Sequence, residues 1–250
     1  MADHEDPGRL TAKFLMGRGR DRLSADDIDA LEKSAQEVTT RPARQMLTRA
    51  GEPVSTSTML LEGFVCRYMD DRDGLRQLVS LHVPGDFVDL HGFPLKRLDH
   101  DVATLGPVRI ANWSHASLER LTAERPRLTR ALWFSTLLDA AMHREWIFRL
   151  GRLGAEGRVA HLFCELEARL AMVGLAHDGR FQLPMTQADL GEACGLTGVH
   201  VNRVLRSLRE RGLLIFRNNE AELIDRRALA ALAEFQPGYL FPDGSTHKKD

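Results

Sequence analysis

The segment from Thr197 to Arg217 is the one strongly basic, regularly patterned stretch of this 250-residue chain. It carries five arginines against one acid, Glu210. The arginines are Arg203, Arg206, Arg209, Arg211 and Arg217. Arginine can donate two hydrogen bonds to guanine O6 and N7, asparagine can pair with adenine, and an apolar side chain can contact the thymine methyl group. With Asn202 and Val199 among them, these residues predict a surface that reads base edges in double-stranded DNA.

Two short helices and a turn are needed to position these side chains, and the sequence predicts all three. Thr186 and Asp189 have the spacing of a capping box, so the first helix should begin there. Gly195 can take the positive φ that ends a helix in a tight turn, and Thr197 can cap the second helix. One stripe of that second helix is apolar, formed by Val201, Val204, Leu205 and Leu208. The pattern predicts a helix-turn-helix.

A β-hairpin is predicted after Gly212, because apolar runs at 213–216 and 221–224 flank the polar turn 217–220. It would form a wing, with Arg217 at its base near a backbone phosphate. Thr186, Gln187 and Thr197 lie at helix N-termini, where hydroxyls and free amides suit phosphate. The predicted DNA-binding residues are Thr186, Gln187, Thr197, Gly198, Val199, His200, Asn202, Arg203, Arg206 and Arg217.

The region from about Val38 to Trp113 has a different pattern, with short strand-like runs separated by turn signals. Such strands predict an antiparallel sandwich or barrel. A helix of roughly 25 residues should follow, since the chain from Arg127 to Leu150 has no proline or glycine. Its apolar seam is predicted to join two copies in a homodimer. An ordinary helix packed on its own domain is the alternative. The predicted dimerisation residues are Leu128, Leu132, Ser135, Leu138, Met142 and Trp146.

Composition limits the class of protein. The net charge of −1 argues against a protein that coats nucleic acid indiscriminately. No run approaches the ~18 apolar residues of a membrane span, and the acidic N-terminus lacks a secretory pattern. We therefore expect a cytoplasmic protein without a membrane partner. Cys66, Cys164 and Cys194 are too far apart to predict a disulfide framework or a metal site.

The helix-turn-helix motif resembles that of the Crp/Fnr superfamily of transcription regulators. The matching residues are Thr186, Asp189, Leu190, Gly195, Leu196, Thr197, Val201, Arg203, Leu205, Leu208, Gly212, Leu213 and Ile215. Upstream, the runs 47–52, 61–63 and 83–87 resemble the turns of that family's cyclic-nucleotide-binding-like β-roll. The resemblance implies a sequence-specific regulator that binds a palindromic operator as a homodimer, and contacts RNA polymerase if it is an activator.

The resemblance also implies the fold class: α+β, with an N-terminal antiparallel β-roll (a cupin-like jelly roll), a long dimerisation helix and a C-terminal winged helix-turn-helix. The predicted divisions are a flexible N-terminal segment at 1–22, a cyclic-nucleotide-binding-like sensor domain at 23–124, the dimerisation helix at 125–151, the DNA-binding domain at 152–236 and a tail at 237–250.

Three departures from the family pattern qualify these expectations. Gly198 and Val199 replace the Arg/Ser-Glu pair of many members, so the operator should differ, although Arg203 matches the guanine-reading arginine. An acidic stretch, including Asp89 and 98–101, stands where other members grip a cyclic nucleotide, so we expect no cAMP dependence. The N-terminal cysteines that hold an iron–sulfur cluster in other members are missing. An unknown small-molecule effector, or none at all, remains open.

Asp89, His91 and His100 suggest a metal site, because two histidines and a carboxylate suit non-haem iron. The simpler interpretation is a histidine hydrogen-bonded to a carboxylate, and we predict no cofactor and no enzymatic activity. Haem ligation by His82, His91 or His100 is a further alternative. The competing function is a metal- or ligand-dependent β-roll protein, such as a cupin-like enzyme or a haem or metal sensor, with the helix-turn-helix as an accessory.

Overall fold

The computed structural model of the chain describes residues 8–243, which form two compact units. One unit contains the chain up to Arg67 together with Leu81–Asp139, and the other contains Tyr68–Ser80 together with the chain from Ala140 onward. Residues 1–7 of the predicted N-terminal segment and 244–250 of the predicted tail lie outside the described residues. Within 8–243, no helix is both long and apolar enough to cross a membrane.

Seven strands form two antiparallel sheets in the N-terminal half of the chain. They are β1 (Glu37–Arg41), β2 (Met46–Thr48), β3 (Thr56–Glu62), β4 (Val65–Asp70), β5 (Arg76–His82), β6 (Asp101–Thr104) and β7 (Val108–Ser114). One sheet has the order β1-β7-β3 and the other β2-β6-β4-β5. The predicted α+β fold with an N-terminal β-roll is confirmed.

Helices α1 (Ala25–Lys33), α2 (Gly92–Leu95) and α3 (His115–Glu124) accompany these strands. Helix α1 begins at the predicted capping pair, because Ser24 Oγ accepts from the Asp27 amide and the Asp27 side chain accepts from the Ser24 amide. The buried indole of Trp113 donates to the carbonyl of Leu31 over 2.9 Å. That hydrogen bond fastens α1 to β7 inside the main apolar core of the first unit.

The N-terminal residues 8–22 belong to the first unit's packed structure, so the prediction of a flexible segment is wrong for them. Phe14 and Leu15 are buried in the main core. Glu32 accepts hydrogen bonds from the backbone amides of Leu10 and Thr11. The sequence concealed this packing because the two apolar residues are adjacent and follow neither a helical nor a strand period.

Helix α4 (Pro126–Arg152) is the predicted long helix, and it is continuous over 27 residues. Its Leu128 and Leu132 join the core of the first unit. In the second unit, Trp146 Nε1 donates to the buried carboxylate of Glu165 over 3.1 Å. The guanidinium of Arg149 stacks on the Trp146 ring, 3.9 Å from its centroid. Each end of the helix is therefore anchored by its own buried contacts.

The second unit contains the remaining elements. They are α5 (Ala155–Met172), β8 (Arg180–Gln182), α6 (Gln187–Cys194), α7 (Gly198–Glu210), β9 (Leu214–Arg217), β10 (Glu220–Leu223) and α8 (Arg226–Leu232). Three of these form an antiparallel sheet in the order β8-β10-β9. Strand β8 was not predicted from the sequence. It has only three residues, which is too few to show an alternating pattern.

A buried ionic cluster ties the end of the described chain to this unit. The carboxylate of Glu165 accepts from the Tyr239 hydroxyl over 2.8 Å and from Arg169 over 3.3 Å. Burial tends to raise the pKa of Glu165, but Arg169 and Arg149 outweigh it and hold that pKa below its usual value. Leu240 is also fully buried. Residues 237–240 of the predicted tail are thus a packed part of the second unit.

Candidate nucleic-acid interface

The structure places the two predicted helices at the predicted starting residues. Helix α6 begins after Thr186, whose side chain accepts from the Asp189 amide over 3.2 Å, while Asp189 accepts from the Thr186 amide over 2.6 Å. Helix α6 ends at Gly195, where φ is +62°. Helix α7 begins after Thr197, whose hydroxyl accepts from the His200 amide. The predicted capping box, glycine turn and second cap are all confirmed.

The turn between the helices requires glycine at a second position, inside α6. A Cβ atom added at Gly191 would lie 2.5 Å from the carbonyl oxygen of Leu196. That carbonyl belongs to the turn that leads into α7, so the absent side chain lets the two helices approach closely. Gly191 therefore sets the geometry of the helix-turn-helix as much as Gly195 does.

Helix α7, which we call the recognition helix, has one buried face and one exposed face. Val201, Val204 and Leu208 are buried. The predicted DNA-binding side chains all lie on exposed positions of the helix or at its start: Thr197, Val199, His200, Asn202, Arg203 and Arg206. Val199 is 71% exposed. An exposed valine in the first turn of a basic helix is available to a thymine methyl group.

The first helix of the motif contributes side chains at its N-terminus. Thr186 and Gln187 are both exposed there. Asn202 Nδ2 donates to Gln187 Oε1 over 3.2 Å, so the predicted phosphate-contacting and base-contacting residues are in direct contact. Both residues are predicted from the sequence, but their hydrogen bond is not, because the two positions are 15 residues apart.

The C-terminal end of the recognition helix is held by an acid from α5. Glu156 accepts from the Ser207 hydroxyl and from Arg211, each over 2.6 Å. In the sequence, Arg211 is one of the five arginines of the basic stretch. In the structure its side chain bonds to Glu156 and anchors the C-terminal end of the helix. Arg203, Arg206 and Arg209 lie on exposed positions. These three arginines supply the positive charge of the exposed face.

The wing is the β9–β10 hairpin. Its two-residue turn, Asn218 and Asn219, has φ values of +52° and +61°. Asparagine tolerates this left-handed region, and positive φ at both positions is typical of a type I′ hairpin turn. Arg217 is the last residue of β9 and is exposed. The structure thus places Arg217 next to the tip of the wing and not at its base, so that part of the prediction is wrong.

The β-roll residues singled out from the sequence do not all come together. Asp89 is buried, and its Oδ1 atom accepts from the Thr58 amide over 2.6 Å. Burial raises the pKa of Asp89 to about 6, and it lowers the pKa of His91 to about 3. The potential ligand atoms of His91, Asp99 and His100 lie within 4.8 Å of one another. Asp99 therefore takes the place that the sequence analysis gave to Asp89.

The three cysteines are buried. Burial raises the pKa of the Cys164 thiol to about 12, and it also raises the pKa of Cys194. Thiols in such surroundings stay protonated near neutral pH and are poor metal ligands.

A β-roll that precedes a long helix and a winged helix-turn-helix with a basic exposed face defines a class of DNA-binding transcription regulators. The Crp-like helix-turn-helix domain family matches residues 157–232, and the cyclic nucleotide-binding domain family matches residues 39–125. The chain belongs to the Crp/Fnr superfamily and is a transcription regulator of that type.

Individual relatives agree with this assignment. The nitrogen fixation regulation protein FixK of Bradyrhizobium diazoefficiens is 29% identical over 183 residues, which are 73% of this chain and 76% of the relative. The transcriptional activator protein FnrA of Stutzerimonas stutzeri is 24% identical over 211 residues, or 84% of this chain and 86% of the relative. The FixK2 structure from Bradyrhizobium japonicum is similar with a TM-score of 0.72 and 27% identity, covering 79% of this chain and 96% of that one.

Proposed function

We propose that the chain binds a palindromic operator as a homodimer, with one recognition helix in the major groove of each half-site. The observation that carries this proposal is the face of α7 on which Arg203, Asn202 and Val199 are exposed, with Asn202 hydrogen-bonded to Gln187 at the start of α6. Their chemistry matches guanine, adenine and thymine respectively. Thr186, Thr197 and Arg217 would hold phosphates and fix the position of the helix.

The operator should not be the usual half-site of the superfamily. Gly198 has no side chain and Val199 no hydrogen-bonding group, so neither can accept a hydrogen bond from cytosine. Base selection would then fall to His200, Asn202 and Arg203, all of which are exposed.

The dimer interface that we propose differs from the predicted seam. Five of the six predicted dimerisation residues, all but Ser135, are buried within the single chain. The large apolar side chains of α4 that stay exposed are Trp133 (65%), Leu137 (52%), Ile147 (71%) and Phe148 (43%). Trp133, Leu137, Ala140, Arg144 and Ile147 follow one another at alternating steps of four and three, which is the spacing of a two-helix seam. This stripe, which is apolar apart from Arg144, favours pairing with its twin.

We also propose that the regulator acts without cAMP and without an iron–sulfur cluster. The buried polar side chains of the loop from 85 to 100 include Asp89 and His100, whereas its cations, Lys96 and Arg97, are exposed. A phosphodiester needs a buried cation to bind it, and the buried Arg67, whose Nε donates to Val88 O in this loop, is already paired with Asp139. The three cysteines are buried, and burial raises the pKa of the Cys164 and Cys194 thiols, which makes them unsuited to holding an iron–sulfur cluster. A cytoplasmic location, and a contact with RNA polymerase if the protein activates transcription, complete the proposal.

Selection of bound fragments from random double-stranded DNA tests the proposal. A palindromic motif, with half-sites about one helical turn apart, is the expected result. Arg203→Ala should weaken binding to the selected operator by roughly 10–100-fold and leave binding to unrelated DNA almost unchanged. Arg120→Ala, which removes an exposed arginine from α3, is the matched control. Equal operator affinity of the Arg203 variant and the parent would contradict the assignment.

A further inference from the structure

Helix α2 and the loop that joins it to β6 form a segment with a histidine at each end, and the two histidines come together. His91 precedes α2, and His100 precedes β6. Between them the loop is pinned by backbone hydrogen bonds from Val54 to Lys96 O over 2.9 Å and from Gly51 to Leu98 O over 2.7 Å. Gly92 packs so closely that an added Cβ would lie 3.1 Å from the Leu98 side chain. The position of the two histidines is therefore built into the fold of the first unit.

The imidazole rings of His91 and His100 face each other, with centroids 5.1 Å apart and planes 37° apart. The potential ligand atoms of both histidines and of Asp99 lie within 4.8 Å of one another. Two nitrogen ligands of a tetrahedral zinc ion, each at about 2.05 Å, are about 3.3 Å apart. The two ring centroids are 5.1 Å apart, so rotation of both side chains is needed to bring the two imidazoles onto one ion.

A second observation points to a ligand at this place. The Nε2 atoms of His91 and His100 are both buried, and neither has a hydrogen-bond partner among the described residues. His100 is only 7% exposed. Buried polar atoms of folded proteins are nearly always paired, with protein, water or an ion. One cation between the two rings would satisfy both unpaired imidazole nitrogens.

The hydrogen bond between His100 and Asp99 sets the tautomer that a metal requires. Asp99 Oδ1 lies 2.8 Å from His100 Nδ1, and a carboxylate can only accept there, so the proton stays on Nδ1. The Nε2 lone pair of His100 is then free to bind a cation. A histidine oriented by a carboxylate on its second nitrogen is the usual arrangement at metal centres.

Three other charged side chains of this region, Asp89, Asp101 and Arg67, already have partners. Asp89 is engaged by the Thr58 amide, and Asp101 accepts from the Ala50 amide over 2.7 Å. The buried guanidinium of Arg67 is paired with Asp139, which offsets part of its positive charge. Asp99 is therefore the acid that balances a bound ion.

We propose that His91 Nε2 and His100 Nε2 bind one divalent first-row transition-metal ion, with Asp99 as the positioning residue for His100. Two imidazoles favour Zn²⁺, Co²⁺, Ni²⁺ or Cu²⁺ over Mg²⁺ and Ca²⁺, which take oxygen ligands. The remaining coordination positions belong to water. The site does not depend on the proposed DNA binding, and its test can fail while the operator selection succeeds.

Zinc binding to the purified, chelator-treated full chain tests the proposal, by competition with a chromogenic chelator and by the visible absorption of Co²⁺. We expect one ion per chain. His100→Ala and His91→Ala should each weaken Zn²⁺ binding at least 30-fold, and Asp99→Asn by about 10–100-fold. The Co²⁺ spectrum should change in Asp99→Asn and return toward that of the parent in Asp99→Glu. Neither the change of the Co²⁺ spectrum nor its return is expected if Asp99 only supports the fold.

The matched control is His177→Ala, which removes an exposed histidine from the second unit and should leave the affinity unchanged. Circular dichroism of every variant checks the fold, and the exposed Asp99 can be changed even if a histidine variant fails to fold. The proposal is overturned if the parent binds no stoichiometric ion, or if the His91→Ala/His100→Ala double variant binds Zn²⁺ as tightly as the parent.

Discussion

The amide of Asn202 on the recognition helix donates a hydrogen bond to the Gln187 side chain at the start of α6, over 3.2 Å. Asn202 Nδ2 carries two hydrogens, so one can bind Gln187 while the other remains for adenine N7, with Oδ1 accepting from adenine N6. Gln187 therefore holds the Asn202 amide in one orientation before DNA arrives.

Replacing Gln187 by alanine should reduce base selection at the position that Asn202 reads. We expect the preference for the best base there to fall by about 3–10-fold, because an unanchored amide loses conformational entropy on binding. Competition binding with operators changed at single base pairs measures this. Gln182→Ala, an exposed glutamine on β8, should leave the profile unchanged. An unaltered profile in the Gln187 variant would show that the hydrogen bond has no role in reading.

Gly191→Ala should destabilise the second unit. The new Cβ would meet the Leu196 carbonyl at 2.5 Å, and relief of such a clash requires the backbone of the turn to move. We expect a loss of about 1–3 kcal/mol in the free energy of unfolding, the usual range for overpacking. Urea unfolding followed by circular dichroism measures it. Gly198→Ala is the matched control, because nothing lies within 4 Å of its added Cβ, so it should be neutral or slightly stabilising.

The helix-turn-helix could be predicted closely because its signals are local. Thr186 with Asp189, and Gly195 with Thr197, act within four residues, and the structure starts and ends the helices at those positions. The contact of Gly191 with Leu196 left no such signal, since a glycine inside a helix has several explanations.

Contacts between residues far apart in the chain could not be predicted from the sequence. Helix α4 has two apolar stripes, and only the fold shows that Leu132 and Trp146 face its own chain while Leu137 and Ile147 stay exposed. In the β-roll, Asp89 is the carboxylate that the sequence predicts beside the two histidines, and Asp99 is not considered for that place. In the structure Asp89 accepts instead from the Thr58 amide, 31 residues away along the chain.

Placing a negative charge in the exposed stripe of α4 tests whether it forms the dimer interface. Leu137→Glu and Ile147→Glu should each convert the dimer to monomer at micromolar concentration, because a carboxylate in an apolar seam loses hydration without gaining a partner. Analytical ultracentrifugation measures the oligomeric state of each variant. Leu75→Glu, an exposed leucine outside the helix, should leave the dimer intact. If the Leu137→Glu/Ile147→Glu double variant remains dimeric, the dimer interface does not lie on this stripe.

The buried cluster of the second unit should make stability depend on pH through His161. Burial is the main cause that lowers the pKa of His161 to about 4, with Glu165 opposing and Arg149 assisting. Glu145 lies 3.2 Å from His161 Nε2, and the Tyr239 ring stacks on the imidazole. Acidification therefore has to place a proton on a ring that the folded chain keeps neutral.

The unfolded chain binds that proton near the ordinary pKa of about 6.5. Between pH 6.5 and 4 the unfolded state thus holds more protons than the folded state, and the free energy of unfolding must fall as the pH falls. The full contribution is present above pH 6.5 and amounts to about 3 kcal/mol at most. His161→Gln should lose less stability than the parent between pH 7 and pH 4.5 in urea unfolding. His177→Gln, which removes an exposed histidine, should show the same dependence of stability on pH as the parent. If the His161 variant shows the full pH slope of the parent, the slope arises from other groups, such as the buried His82 with its pKa near 4.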